Sequence, residues 1–209
     1  RRIPWSFIVL LTLAISVISI LGFIWNKEPP TFDVQATTSR ILSINQIDNV
    51  VGSSTVAVML EISDTLLGKN GGYLSNDIVP PGAWMDNIPN WEFGALVQLR
   101  DITRTMRNNF SRSQSQSIEN PALVAAENQF YFDSNSWMLP ATESEYRKGI
   151  QQLTNFLVKL SNKDETDTQF YARADNLGMW LSEVETRLGS LSQRLSASVG
   201  KRQFNTSLA

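Results

Sequence analysis

From Trp5 to Trp25 the chain reads WSFIVLLTLAISVISILGFIW, twenty-one residues without a charge. As a helix rising about 1.5 Å per residue, this run matches the roughly 30 Å hydrocarbon core of a bilayer. A segment apolar on every face leaves a chain of 209 residues few options, because other protein or lipid must surround it. A tryptophan stands at each end, where amphipathic rings favour the membrane interface. Arg1 and Arg2 precede the run, whereas Lys27 and Glu28 cancel behind it. The positive-inside rule therefore predicts a cytoplasmic N-terminus, with everything after Asn26 across the membrane. A cleaved signal peptide is the competing reading. Its apolar region would be shorter, and a small-x-small cleavage site is missing before Lys27-Glu28-Pro29-Pro30. A retained single-pass anchor is expected, and the start on arginine points to sequence upstream of Arg1. Within the anchor, Thr12, Ser16 and Ser19 share one helix face with Gly22 near it. Such a face permits close helix approach in lipid, and the bland reading is hydroxyls bonded to their own backbone.

The chain contains no cysteine and no histidine. Disulfide frameworks and thiolate metal sites are excluded, and so are the commonest general acid/base and the commonest metal ligand. No cofactor is expected. Without Arg1 and Arg2 the 18 basic residues fall to 16 against 20 acidic ones, a net of −4 beyond the anchor. That balance argues against nucleic acid as a partner. Arg100, Arg104 and Arg107 share a helix face and Arg112 follows. A solvated face is the expectation, and contact with lipid headgroups or an anionic glycan is the alternative.

The predicted fold class is mostly α. Residues 1–26 form the cytoplasmic tip and membrane helix, and residues 27–38 a juxtamembrane linker. A helical region over 39–140 carries ordered loops at 71–94, 111–117 and 130–140. An antiparallel helical hairpin occupies 141–200, with a tail at 201–209. Helical spacing runs from Ser39 to Leu67, interrupted at Gly52-Ser53-Ser54, with Gly68 as a left-handed stop. Asn90 is the expected cap of a helix reaching Asn109, with Glu92 facing the positive end of its dipole. Ser111 to Ser117 is polar and of low complexity, hence a loop. Asn120-Pro121 opens a short helix, and Phe130 to Pro140 reads as extended, with room for a short strand.

Thr142 and Glu145 match the capping-box pattern ahead of Tyr146, Ile150, Leu153, Leu157 and Leu160. After a polar loop, Asp167 is the expected cap of a helix placing Phe170, Ala174, Leu177, Leu181, Val184, Leu188, Leu191 and Leu195 in unbroken heptad spacing. The short connection predicts an antiparallel pair. The second helix outruns the first, so the seam Leu181, Val184, Leu188, Leu191 and Leu195 is a candidate surface for a further helix.

The stretch GGYLSNDIVPPGAWMDNIPNWEFG, Gly71 to Gly94, has too many prolines for a regular helix and too many aromatics for a slack linker. Trp84 and Trp91 lie in it, and Trp137 in the second extended segment. Buried rings pinning the loop over a bundle end are the expected arrangement. Exposed rings beside Asp77, Asp86, Asn87 and Asn90 would instead suit a sugar polymer. A glycosidase needs paired carboxylates, and Asp86, Glu92 and Asp133 qualify by residue type alone.

That stretch, together with FSRSQSQS, FDSNSWMLPATESEYR and QFYARADNLGMWLSEVETRLGSLSQRLSASVG, resembles a proteobacterial family, number 2333 of the domain-of-unknown-function series. The resemblance covers most of the chain after the anchor. It implies a bacterial inner-membrane protein with a periplasmic helical body, and a C-terminal half beyond Ala209. It implies no activity, and it makes the sequons at Asn109 and Asn205 chance matches. The expected function is non-enzymatic: a scaffolding or accessory subunit of an inner-membrane assembly, partnered by the bilayer and by itself or other subunits. A peptidoglycan-binding module using the aromatic loop is the alternative, and a carboxylate-based envelope enzyme the third reading.

Overall fold

The computed structural model describes residues 4–112, 118–165 and 167–206, with side chains as far as 198. Seven α-helices and no strand occur among the described residues. The chain divides into two compact units, Arg1–Phe170 and Tyr171–Ala209.

In the first unit, α1 (Trp5–Trp25) buries none of its residues. After the prolines at 29 and 30, the Asp33 carboxylate accepts from the Ala36 amide at 2.7 Å and caps α2 (Val34–Asn45). The interruption noted at Gly52-Ser53-Ser54 divides the helical spacing over 39–67 between two helices. The chain leaves α2 through Gln46 in the left-handed region and re-enters at Gly52, with φ +95°, ahead of α3 (Ser53–Gly68). Gly52 is obligatory there for a second reason: a Cβ would sit 2.4 Å from the Phe170 ring. The Ser53 hydroxyl accepts from the Val50 amide at 3.0 Å and secures the bend. The chain reversal lays α2 on α3, burying Ile41 and Leu42 with Val56, Met59 and Leu60. Gly68 is not the left-handed stop. Lys69 ends α3 in extended conformation, and the positive φ angles fall at Gly71 and Gly72.

The next helix, α4 (Asn87–Thr105), begins after Asp86 rather than Asn90 and widens into a π-helical turn over Met106–Phe110. Asn120 caps α5 (Pro121–Phe130) as expected, its side-chain oxygen accepting from Ala122 N at 3.0 Å and Leu123 N at 3.4 Å. The segment before α6 (Thr142–Ser161) forms no strand. Nor does the capping box form. The buried Thr142 hydroxyl bonds the carbonyls of Asp133 at 2.8 Å and Ser136 at 2.9 Å, while Glu145 accepts from Lys148 at 2.7 Å. A competing set of carbonyls, supplied by the folded-back loop, takes the hydroxyl that would have capped the helix.

The core lies among α3, α4, α5 and α6. Leu66, Leu96, Leu99, Met106, Leu123, Phe130, Tyr146, Leu153, Phe156 and Leu157 are all nearly solvent-free. Helices α5 and α6 approach closely at Gly149, where a Cβ would lie 3.0 Å from the Phe130 ring. The second unit is α7 (Ala174–Thr206), preceded by a non-helical stretch, so Asp167 is not its cap. The low-complexity run at 113–117 lies outside the described residues.

Candidate functional site

The Gly71–Gly94 loop is held by a carboxylate. Glu92 is 0% exposed in the second turn of α4, on one stripe with Leu96 and Leu99. Its oxygens accept from the Lys69 ammonium, the Leu74 amide at 2.8 Å, the Ser75 amide at 2.8 Å and the Ser75 hydroxyl. Lys69, its side chain 4% exposed, also donates to the carbonyl of Gly72. A buried ion pair is tolerable only when its remaining donors and acceptors are matched, and here they are. The expectation that tryptophan rings pin the loop is therefore corrected: a salt bridge with backbone donors does so, together with buried Tyr73 and Leu74.

The loop then fastens a second one. Tyr73 donates to the Ser134 carbonyl at 3.1 Å, and the Asn76 amide donates to Ser136 O and Glu143 Oε2, each at 2.9 Å. The Tyr73 ring meets Tyr146 edge-on at 5.7 Å. Burial, reinforced by Tyr146, raises the Tyr73 hydroxyl well above the ordinary tyrosine range, so it stays a donor. Burial, then Glu143 and Glu92, also lift the Asp77 carboxyl above its ordinary value, with Lys69 opposing. Asp77 lies over Gly82, where a Cβ would be 1.9 Å from its Oδ2.

The same loop touches the end of α1. A Cβ on Gly71 would sit 2.7 Å from the Trp25 ring, and one on Gly22 would be 3.4 Å from the Pro81 side chain. Between and beyond these contacts the loop exposes apolar groups. Trp84 is 75% exposed, Ile78 and Val79 more than half. On the neighbouring loop Trp137 is 51% and Leu139 92% exposed, while Trp91 is half-buried. Two of the three candidate tryptophans thus point away from the core.

The arginine stripe is no solvated face. Arg100 donates to Phe130 O at 2.6 Å and Phe132 O at 3.0 Å, closing the C-terminal end of α5. Arg107 meets Glu127 at 2.8 Å and Glu119 at 3.6 Å, Arg104 meets Glu127 at 3.5 Å, and Arg112 meets Glu119 at 3.9 Å. These guanidinium groups tie α4 and its π-turn to α5 and its flanks, which supply Glu119, Glu127 and the free carbonyls of Phe130 and Phe132 opposite them.

Of the three candidate carboxylates, Glu92 is consumed by the loop. Asp86 is exposed at the start of α4, and Asp133 is exposed and accepts from the Asn135 amide at 2.9 Å. Among the described residues no group of three acidic, histidine or cysteine side chains is placed to hold a metal. A polar cleft of about 380 Å³ separates the 27–30 linker from α3, lined by Lys27, Glu28, Arg40, Glu61, Asp64 and Asn70. Burial and Glu61 push the Asp64 carboxyl above its ordinary value, with Arg40 acting against them.

On α1 the Thr12, Ser16 and Ser19 hydroxyls bond the carbonyls of Val9, Thr12 and Ile15 at 2.8–2.9 Å, within their own helix. On α7, Leu181, Leu188, Leu191 and Leu195 are each more than half exposed, with Val184 half-buried. The Glu92 node is the feature that sequence reasoning missed. Its signal was an acid on the apolar stripe of an amphipathic helix, where a solvated side chain does not belong.

The family model described as "Uncharacterized protein conserved in bacteria (DUF2333)" matches residues 1–209. No curated protein and no solved structure matches the chain.

Proposed function

Since the chain belongs to the DUF2333 family of bacteria, whose description carries no activity, we propose that it is a non-enzymatic, membrane-anchored protein serving as a structural or accessory subunit. In this reading α1 anchors the chain in the inner membrane with its N-terminus cytoplasmic, and the helical body stands in the periplasm. The observation that carries the subunit role is the leucine seam of α7, left open to solvent over four heptad positions. The seam from Leu181 to Leu195 runs at 3, 4, 3, 4 spacing, the surface that knobs-into-holes packing requires, and leaving it in water is unfavourable.

The test is the size of the particle extracted in mild detergent, with Leu188→Gln and Leu191→Gln introduced together. A folded but smaller particle supports the seam as the assembly surface. An unchanged size removes it from that role. A particle containing only this chain assigns the seam to a second copy, and a mixed one to another subunit. Glycan binding is the second reading, favoured by the exposure of Trp84 and Trp137. Sedimentation with peptidoglycan that survives Trp84→Ala excludes that use of the loop.

A further inference from the structure

We propose that the Gly71–Gly94 loop is a second membrane contact: its tip enters the bilayer interface beside α1 through Ile78, Val79 and Trp84. The inference rests on the reading of α1 as a membrane anchor.

The position of the loop on α1 carries the argument. Trp25 ends the apolar run, and Gly22 lies three residues further in, about 4.5 Å along the helix axis. Pro81 packs at Gly22, while Gly71 packs against Trp25. The loop therefore reaches inward past the terminal tryptophan of the span, to the depth of the headgroup and acyl boundary that interfacial segments occupy. Among the loop's exposed side chains, Ile78 and Val79 directly precede Pro80-Pro81, and Trp84 closes the 3-10 turn that follows Pro81.

Chemistry selects the occupant. The exposed groups are aliphatic or indole, and the charges beside them along the chain are the carboxylates Asp77 and Asp86 rather than a basic cluster. A phosphate-seeking site would need the reverse. The surface thus fits the neutral interface of a bilayer, entered by burial of apolar area, and it is indifferent to anionic lipid. The adjoining loop extends the patch. Asn76 bonds Ser136, so Trp137, Met138 and the almost fully exposed Leu139 follow directly from a residue fastened to the first loop. Held rigid by the Glu92 node, both tips stand ready before contact, which limits the ordering cost of insertion.

The chain has no cysteine, so single labels are unambiguous. The full chain is placed in phosphatidylcholine nanodiscs with an environment-sensitive fluorophore at Ile15→Cys, Val79→Cys or Leu139→Cys, all exposed positions. Quenching by doxyl groups high or low on the acyl chain is compared with quenching by aqueous iodide. The expected result is loss of Ile15 fluorescence to the deep doxyl. Val79 and Leu139 labels should be blue-shifted, quenched by the shallow doxyl and shielded from iodide. An Ile15 label quenched at depth beside a Val79 label open to iodide overturns the loop contact and leaves the anchor intact. An Ile15 label untouched by either doxyl overturns the anchor and the loop contact together. A requirement for anionic lipid would overturn the apolar mode of entry.

Discussion

Replacing Glu92 with Gln tests the architecture at its most loaded point. The amide keeps the shape of the carboxylate but removes its charge and half of its acceptors. Lys69, whose side chain is 4% exposed, loses its counter-charge, and the amide nitrogen that replaces Oε2 faces the Ser75 amide, two donors with no acceptor between them. Breaking one side of a buried pair costs about 3–5 kcal/mol, and a buried donor left unmatched costs about 1–3 kcal/mol. The two losses overlap, because the loop relaxes once either is felt, so about 3–5 kcal/mol is expected for Glu92→Gln. Lys69→Met leaves the carboxylate with the two amides and the Ser75 hydroxyl, so its loss should be smaller, about 1.5–3 kcal/mol. The double variant should cost less than the sum of the singles. Hydrogen exchange at the Leu74 and Ser75 amides is the local readout. A loss of 3 kcal/mol corresponds to roughly a hundredfold in the opening equilibrium. Chemical denaturation in detergent supplies the global value. Unchanged exchange at these two amides in Glu92→Gln, or a larger loss in Lys69→Met, would refute the reasoning.

Gly71→Ala must place a Cβ at φ +87° and within 2.7 Å of the Trp25 ring. Thermal unfolding should show a loss of about 1–3 kcal/mol, the scale of a strained backbone site. Trp25→Ala in the same chain should recover only the steric part. Asp64→Asn should raise the melting temperature at neutral pH. The folded carboxyl holds its proton to higher pH than the unfolded one, so the stability of the protonated form is complete below the ordinary value of 3.8 and is lost as pH rises through the folded value. The gain from Asn should therefore disappear in melts recorded below pH 3.8, and a gain independent of pH would contradict it.

Elements governed by local chemistry were legible in the sequence. The uncharged run at 5–25 could be little but a long apolar helix. Asn120-Pro121 carried both the cap and the favoured first residue of α5, and the heptads of α7 described one continuous helix. Where two partners compete for one group, legibility ended. Thr142 satisfied the capping-box pattern, yet its hydroxyl went to Asp133 and Ser136, which the sequence does not place beside it. The arginines of α4 read as solvated because spacing shows which residues share a face, not what lies opposite.

What the sequence determined by itself was therefore the helical class, the apolar span, the cap of α5 and the absence of histidine and cysteine chemistry, since each depends on residues near one another along the chain. Only the tertiary structure decided the use of Glu92 and the outward turn of Trp84. Burial of a charge depends on donors arriving from elsewhere: Lys69 is twenty-three residues from Glu92, and Asn76 is sixty-seven from Glu143. Once those polar contacts hold the loop, Trp84 is not needed in the core, and it is left at the surface.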